Sequence, residues 1–449
     1  MKLNWFSPLP PARTEIANYT LRLLPLLSRQ AHLTLWTDQN EWEEQLENYG
    51  EVRRYRLEQM PWADVNRGDV SIFHIGNNIE FHESIWWVSR CHAGLMILHD
   101  VCLVYLFNGL YTAQRSALEA YFDQRPTFFG NWRNLDGAAS EQADPDSADP
   151  MWRHYPLTLL TLENALGAIV HTQGAFDKLK QENLWPVAYA PLPFSPKSCE
   201  IHSDPSTLHK SRAGGRPPFR LVIFGFLGQN RRLDAVLKAL SDFSGRDQFH
   251  LDVYGELWNH EDVCAQIRSL GLEELVDLHG FVSDSELDAA LCEAHMAINL
   301  RYPTAGEASA SQLRIWAHAL PSLVTKVGWY ATLPSDAVAF VRPAHENTDI
   351  QSHLRDFLAD PGRFARMGEK GRYILENEHT PDRYVQTILA LAAKAEVFRP
   401  RAVSYRLAER VGGLMSDCMD ANASEQAFRN AAAEIYTLTG KATKGRAAN

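Results

Sequence analysis

Residues 298–329 read INLRYPTAGEASASQLRIWAHALPSLVTKVGW, a stretch that predicts a strand, a turn, a helix and a second strand. Leu313, Trp316 and Leu320 recur at helical spacing, so one face of the helix is expected to pack on a sheet. Ser309 is a natural N-cap for this helix. A strand, a covering helix and a following strand form the unit from which parallel α/β sheets are built.

The same alternation of short apolar runs and amphipathic helices extends through most of the 449 residues. It predicts two doubly wound, Rossmann-like domains with a ligand cleft between the carboxyl ends of their parallel sheets. The predicted parts are a first domain at 1–195, a linker at 196–218, a second domain at 219–395 and a helical tail at 396–449. Strands are predicted at 2–6, 32–38, 70–75, 95–99, 167–171 and 187–190, and then at RLVIFGF, HLDVYGE, VDLHGFV, HMAINLRY, SLVTKV and AVAFVRP.

Composition argues against several classes of protein, namely nucleic-acid-binding, membrane-spanning, secreted and disulfide-rich proteins. The chain is 45% hydrophobic and has a net charge of -11, so nucleic acid is not an expected partner. No apolar run approaches the roughly 20 residues of a membrane span, and the start MKLNWFSPLPP lacks a signal-peptide layout, so we expect a cytosolic protein. The six cysteines are scattered, which indicates neither a zinc site nor a disulfide framework.

An acidic segment at 134–150 is poor in large apolar residues and predicts a surface loop. It contains Asp144-Pro-Asp146, a spacing that also occurs in metal sites. In so polar a setting we interpret the two carboxylates as part of a solvated loop.

Glu307 lies between small residues at the start of the predicted helix, where backbone N–H groups and the helix dipole favour a phosphate. A carboxylate beside a bound phosphate is suited to accept hydrogen bonds from sugar hydroxyls. The alternative is that Glu307 only complements the dipole of its own helix. The candidate residues around this helix start are Gly306, Ala308 and Ser309.

The stretch VIFGFLGQNRR predicts a tight turn between the first strand and first helix of the second domain. Gly225 and Gly228 form the turn, and Arg231 and Arg232 follow at the helix start. Cations oppose the dipole at this end of a helix, so two adjacent arginines indicate a bound anion such as a diphosphate. The alternative is a pair of solvated arginines.

His99 follows the apolar strand LMILHD at its carboxyl end, where ligand-binding groups of such sheets lie. A His-Asp pair at this position is also common as a purely structural pair. His74, His82 and His171 lie near the same predicted edge and rank below His99 as candidates.

Together these residues resemble the retaining glycosyltransferases of family 4, which have the GT-B fold of two facing Rossmann-like domains. The resemblance covers roughly residues 1–395. Residues 304–309 with Leu313, Pro321 and Val324 look like the glutamate-containing donor motif, and GFLGQNRR looks like the phosphate-binding turn. FSPLPPARTEIANY, FHIGNNIEFH, LMILHD and AIVHTQGAFDKL are similar to segments of the first domain.

The resemblance implies a nucleotide-sugar donor bound by the second domain, an acceptor hydroxyl bound by the first, and neither a metal nor another cofactor. Glu307 would contact the donor sugar, Arg231 or Arg232 would neutralise the diphosphate, and His99 would face the transferring sugar. The remaining donor-side candidate is Arg314. The acceptor-side candidates are Glu15, Asn18, His74, Asn77 and Asp100.

The sequence departs from the family pattern at three positions. The second motif glutamate, which binds the nucleotide ribose, is absent, since position 315 is Ile and the position aligned through Pro321 is Arg314. Phe226 stands where the family has an arginine, and Glu15 stands where the first loop has a glycine.

We therefore expect a retaining hexosyltransferase that transfers a sugar to a glycan or lipid-linked acceptor in surface polysaccharide or lipopolysaccharide synthesis. A lipid-linked acceptor would bring the protein to the inner face of the membrane. The departures keep a second function class open, a non-catalytic nucleotide-sugar or glycan-binding subunit. A sugar-nucleotide epimerase would need further acid/base carboxylates beside Glu307.

Overall fold

The structure is a computed structural model that describes residues 1–103, 105–107, 109–110, 157–195, 216–400, 402–404 and 407. The acidic segment at 134–150 and all but residues 216–218 of the predicted linker lie outside these ranges. Within them the chain forms two compact units. The first runs to Ala190 and resumes at Pro381, and the second runs from Pro191 to Thr380.

The first unit contains a seven-stranded parallel sheet in the order β3-β2-β1-β4-β5-β6-β7. Its strands are β1 (Lys2–Phe6), β2 (His32–Thr37), β3 (Glu51–Arg54), β4 (Val70–Ile75), β5 (Gly94–Leu98), β6 (Ala165–Val170) and β7 (Val187–Tyr189). Its helices between these strands are α1 (Glu15–Leu27), α2 (Trp62–Val65), α3 (Ile79–Cys91), α4 (Thr158–Leu162) and α5 (Gln173–Glu182).

The central strands of this sheet are covered on both faces, which explains their nearly continuous apolar sequences. Every residue of β4, β5 and β6 is buried. On one face, Phe6 stacks on Trp36 and on Phe73, with ring centroids 5.7 and 4.8 Å apart. Burial of such aromatic rings is a main source of stability in a core of this kind.

The second unit contains a six-stranded parallel sheet in the order β10-β9-β8-β11-β12-β13. Its strands are β8 (Phe219–Phe224), β9 (Phe249–Tyr254), β10 (Val276–Gly280), β11 (Met296–Asn299), β12 (Ser322–Thr325) and β13 (Ala339–Val341). Its helices are α6 (Leu233–Ser241), α7 (His260–Ser269), α8 (Asp284–Glu293), α9 (Ala310–Ala317), α10 (Glu346–Ala359) and α11 (Pro361–Glu378).

The fold class predicted from the sequence is confirmed, since both units are parallel α/β sheets covered by helices. One strand was missed. β3 reads EVRR at the edge of the first sheet and has two exposed residues, so it carries no apolar signal.

A further helix, α12 (Pro381–Ala392), belongs to the first unit and packs against α1. The ring of Tyr384 meets the ring of Tyr19 edge to face, with centroids 5.5 Å apart. Residues 381–395 are predicted from the sequence to belong to the second domain, whereas their contacts group them with the first unit. Among the described residues, no helix combines the length and the apolar character that crossing a membrane requires.

Candidate functional site

The turn after β8 brings Gly225 beside the side chain of Arg231. Gly225 has φ +112°, a backbone conformation that favours glycine. A Cβ added there would lie 3.9 Å from Arg231 Nη2 and 4.0 Å from Ser311 Oγ, in the first turn of α9. Gly228, by contrast, has an extended backbone with φ -73°. The turn therefore places a guanidinium next to the start of α9, at the carboxyl end of the sheet.

Arg231 is a buried cation with unused hydrogen-bonding capacity. Its residue is 4% exposed, and Nη2 donates to Phe224 O at 2.8 Å. Nε and Nη1 donate to no residue that the structure describes. Burial first, and the charge of Arg301 second, lower the pKa of Arg231 to about 10, so the side chain remains protonated at neutral pH. Such a group costs free energy unless an anion compensates it.

Arg232, the next residue, forms an ion pair with Glu346. Its backbone adopts a left-handed conformation with φ 56°. Its Nε and Nη2 contact both carboxylate oxygens of Glu346, the first residue of α10, at 2.7 to 3.0 Å. The Glu346 side chain is 7% exposed, so Arg232 neutralises a buried carboxylate. Of the two arginines predicted to bind the diphosphate, the structure leaves Arg231 available.

Glu307 lies in the loop between β11 and α9 and is held by two neighbours. Arg301 Nη1 is 3.0 Å from Glu307 Oε1, and the Thr304 hydroxyl donates to Oε2 at 2.9 Å. The carboxylate is 13% exposed. Gly306 precedes it with φ +81°, which lets the chain turn sharply there. Glu307 is thus neither a solvated charge nor a simple helix cap, because it forms an ion pair in a partly buried loop.

The start of α9 is built as the sequence predicts. Ser309 is the N-cap, and its Oγ accepts a hydrogen bond from Gln312 N at 3.1 Å. Ala308 precedes the cap with a small, partly exposed side chain, while Ser309 itself is buried. Tyr302 N donates to Asn230 O at 2.8 Å, which fastens the Glu307 loop to the turn that carries Arg231. The candidate donor residues therefore converge at one edge of the second sheet.

Arg314 is the exception among the predicted donor residues. Its Nε is 2.9 Å from Asp288 Oδ1, and its Nη1 is 2.8 Å from Asp284 Oδ1. Nη2 donates to Asp284 O at 2.9 Å. All three nitrogens thus contact α8, and the position that the resemblance aligns with a ribose-binding glutamate instead joins two helices.

An open pocket of about 500 Å³ lies at the carboxyl ends of β8, β9 and β10. Three exposed aromatic residues, Phe226, Trp258 and Phe281, line it, each more than 60% exposed. Exposed rings around a concavity are suited to stack on a flat ligand such as a nucleobase. Phe226 follows Gly225 directly, so this pocket adjoins the turn that positions Arg231.

In the first unit, four histidines surround the carboxyl ends of β4, β5 and β6. His74 Nδ1 lies 3.0 Å from His99 Nε2, and their rings stack. His82 Nδ1 donates to His74 O at 3.0 Å, and the rings of His99 and His171 lie 5.1 Å apart. The Tyr19 ring contacts this cluster edge-on. His99, the first-ranked candidate, is therefore one member of a packed network.

The other acceptor-side candidates form two pairs of their own. Glu15 accepts from Arg22 Nη1 at 2.6 Å and from Asn18 Nδ2 at 3.3 Å, so these residues pair along α1. The Asp100 carboxylate accepts from Asn77 N at 2.8 Å. This bond links the residue after His99 to the loop after β4. Asp100 thus shapes the edge of the sheet where the histidines lie.

The histidine cluster gives a pH dependence to stability. Burial lowers the pKa of His82 to about 4, against 6.5 in the unfolded chain, and also lowers the pKa values of His74 and His99. The stability from these neutral rings is fully present above pH 6.5 and is lost as the pH falls towards the folded pKa. For His82 alone, we expect the free energy of unfolding to fall by about 3 kcal/mol between these limits.

Urea unfolding at a series of pH values from 7 to 4 measures this effect. His82→Gln should reduce the dependence by about the share of His82 and leave that of His74 and His99, whereas His32→Gln, at an exposed position, should leave it unchanged. A wild-type slope that His82→Gln does not alter would contradict the assignment.

Two groups at the second-unit site were not predicted from the sequence. Arg301 pairs with Glu307 and acts on Arg231, and it follows β11 in the sequence LRYP, where a lone arginine gives no signal. Trp258 and Phe281 line the pocket from the loops after β9 and β10. In the sequence, only their position directly after predicted strands indicated that they could bind a ligand at the carboxyl edge of the sheet.

Comparison with known proteins gives one family match for part of the second unit and several solved structures of similar fold. Residues 231–390 match the model of a family described as glycosyl transferase-like. No curated protein matches the sequence.

Several solved structures are similar in fold at low identity. Sucrose-phosphate synthase from Thermosynechococcus elongatus is 13% identical with a TM-score of 0.60, over 88% of this chain and 99% of that one. Anabaena Alr3699/HepE, solved in complex with UDP, is 13% identical with a TM-score of 0.58, over 88% and 99%. WaaG, a glycosyltransferase involved in lipopolysaccharide biosynthesis, is 14% identical with a TM-score of 0.54, over 86% and 99%. The two parallel-sheet units thus match those of GT-B glycosyltransferase structures.

Proposed function

We propose that this protein is a retaining glycosyltransferase of family 4 that transfers a sugar from a nucleotide-sugar to a hydroxyl group. The observation that carries the proposal is the buried guanidinium of Arg231, whose Nε and Nη1 have no partner among the described residues. It lies beside the start of α9, where backbone N–H groups also favour an anion. A diphosphate satisfies both features, because it supplies several negatively charged acceptor oxygens.

The base of the donor would occupy the aromatic pocket beside this diphosphate. Phe226, Trp258 and Phe281 offer flat surfaces for stacking, and stacking of one base on an aromatic ring contributes about 1 to 3 kcal/mol. The Anabaena protein of similar fold was solved with UDP and with UDP-glucose. We therefore take uridine diphosphate sugars as the first donors to test.

The proposed chemistry relies on charge rather than on a covalent intermediate. Cleavage of the bond between sugar and phosphate builds negative charge on the departing diphosphate, and stabilising that charge is expected to lower the barrier most. Arg231 and the start of α9 supply this stabilisation. Glu307 accepts hydroxyls of the donor sugar and steadies the positive charge that develops on it. No metal is required, because the guanidinium and the helix start provide the positive charge.

We assign the acceptor to the first unit, on the histidine cluster and the residues around it. His99 is the group proposed to face the reacting sugar, with His74 orienting it through the 3.0 Å contact between their ring nitrogens and Asp100 holding the neighbouring loop through Asn77 N. A glycan or lipid-linked acceptor of surface polysaccharide synthesis fits the resemblance of the sequence. Such a reaction would take place in the cytoplasm, at the inner face of the membrane when the acceptor is lipid-linked.

A donor screen tests this proposal. Each of several nucleotide-sugars is added to the protein, and a donor present at 100 times its dissociation constant should raise the free energy of unfolding by about 2.7 kcal/mol. Trp258→Ala should weaken this binding by about 10-fold or more, while Trp62→Ala, at a partly exposed tryptophan of the first unit, should leave it unchanged.

Addition of saccharide acceptors then separates an enzyme from a binding subunit. A glycosyltransferase releases nucleoside diphosphate in proportion to the glycoside formed, and a retaining one gives a product with the anomeric configuration of the donor. Donor binding without release across the acceptor panel would favour the non-catalytic alternative. Absence of stabilisation by every nucleotide-sugar would overturn both.

A further inference from the structure

A second cluster of polar residues lies on β9 and β10, and the proposed transfer uses none of its members. β9 carries His250-Leu-Asp252, and β10 carries the reverse order, Asp277-Leu-His279. The register pairs Asp277 directly with Asp252. Since alternate residues of a strand share a face, His250, Asp252 and Asp277 project from the same side of the sheet. Two mirrored His/Asp pairs therefore stand side by side.

The distances within this cluster suit one bound cation. His250 Nε2 is 3.0 Å from Asp277 Oδ2 and 4.0 Å from Asp252 Oδ1. The three ligand atoms, one from each residue, all lie within 4.8 Å of one another. Around a tetrahedral metal with bonds of about 2.1 Å, ligand atoms are about 3.4 Å apart. Small side-chain rotations would therefore bring all three atoms to bonding distance.

A second set of contacts fixes the central carboxylate. Asp252 is 4% exposed, and His279 Nε2 lies 2.8 Å from its Oδ1. The ring of His279 stacks on the ring of Tyr254, with centroids 4.3 Å apart and planes 7° apart. Tyr254 therefore orients His279, and His279 orients Asp252. Metal-binding carboxylates are typically hydrogen-bonded in this manner by residues that do not touch the ion.

The charges around the cluster also favour a cation. Asp252 and Asp277 are lateral neighbours on adjacent strands, an arrangement that is unfavourable for like charges. Arg220 Nε is 3.8 Å from Asp252 Oδ2, but Arg220 Nη1 also pairs with Glu293 at 3.1 Å. This guanidinium is thus shared between two carboxylates, Asp252 and Glu293, and its ion pairs do not include Asp277. With neutral imidazoles, the cluster retains a net negative charge.

We propose that His250, Asp252 and Asp277 form a binding site for a divalent transition-metal ion, best matched by Zn²⁺. One imidazole and two carboxylates suit Zn²⁺ or Mn²⁺, while Mg²⁺ and Ca²⁺ prefer oxygen ligands throughout. Asp277 is exposed, so water completes the coordination. The ion would join the edge strand β10 to β9 and stabilise the second unit, apart from the chemistry of sugar transfer.

Metal titration of the full chain, without an affinity tag and after removal of metals by a chelator, tests this site. Calorimetry with Zn²⁺ at pH 7.5 should show saturable binding, and Co²⁺ should give the visible absorption of a metal with protein ligands. His250→Ala with Asp277→Asn should raise the Zn²⁺ dissociation constant by at least 100-fold. These two side chains are not fully buried, so the variant is expected to fold. His279→Ala should raise the dissociation constant by about 10-fold to 100-fold.

His260→Ala is the matched control, because His260 is a histidine of the same unit that lies near Cys264 Sγ. It should bind Zn²⁺ as the wild type does. Equal affinity in the wild type and in His250→Ala with Asp277→Asn would overturn the proposal, as would loss of binding in His260→Ala. Binding of Mg²⁺ in preference to Zn²⁺ would also overturn it.

Discussion

Arg231→Met should lower the rate of sugar transfer by about 10²-fold to 10³-fold while the protein remains folded. The substitution keeps an unbranched side chain, shorter than arginine, and removes the charged guanidinium. A donor that stabilises developing negative charge in a dry site contributes about this much to turnover. Stability should change little, because exchange of a buried charge for an apolar side chain of similar volume is often neutral. Steady-state release of nucleoside diphosphate and thermal unfolding measure the two effects.

Arg232→Met is the matched control, since it makes the same chemical change one residue away. It leaves the buried carboxylate of Glu346 without its bidentate partner, so we expect a loss of about 2 kcal/mol in the free energy of unfolding. Turnover measured below the unfolding transition should remain within a few-fold of the wild type. The reverse pattern, with transfer lost in Arg232→Met and retained in Arg231→Met, would contradict the proposed diphosphate contact.

The sequence predicted an anion site at the two arginines but not which of them is available to bind the anion. The adjacent arginines, the glycine turn and the helix start could all be identified in the sequence. Each of them indicated an anion-binding site at this edge of the sheet. The choice between them depends on Glu346, a carboxylate 114 residues further along the chain, and on the left-handed backbone of Arg232. Neither feature has a local signal. Arg314 was misleading for the same reason, because its partners Asp284 and Asp288 are distant in sequence.

The fold was more predictable than the site. Buried parallel strands are continuous apolar runs, so the stretches around β1, β4 and β8 could be assigned from composition alone. The N-cap Ser309 fixed the start of α9 within one residue. The edge strand β3 was not predicted, because its side chains are partly solvated and need not be apolar. The His/Asp pairs on β9 and β10 become one cluster only when the pairing register is known.

Glu307→Gln should lower turnover by about 10²-fold or more. The amide keeps the size of the side chain and part of its capacity to accept hydrogen bonds, but it loses the negative charge that would steady a developing cationic sugar. Binding of the bare nucleoside diphosphate should barely change, because the proposed diphosphate contacts come from Arg231 and the start of α9. Comparison of turnover with calorimetric binding of the diphosphate measures the difference. Unaltered turnover would mean that the donor sugar lies elsewhere.

The ion pair with Arg301 provides a second explanation for such a loss, and a double-mutant cycle distinguishes the two. On this second explanation, Glu307 acts only by holding Arg301 in place, since the two side chains are 3.0 Å apart. In that case Arg301→Met combined with Glu307→Gln should be no slower than Arg301→Met alone. If Glu307 contacts the sugar itself, the double variant should lose roughly a further 10²-fold. A coupling energy that cancels the whole effect of Glu307→Gln would therefore move Glu307 from the reacting sugar to a positioning role.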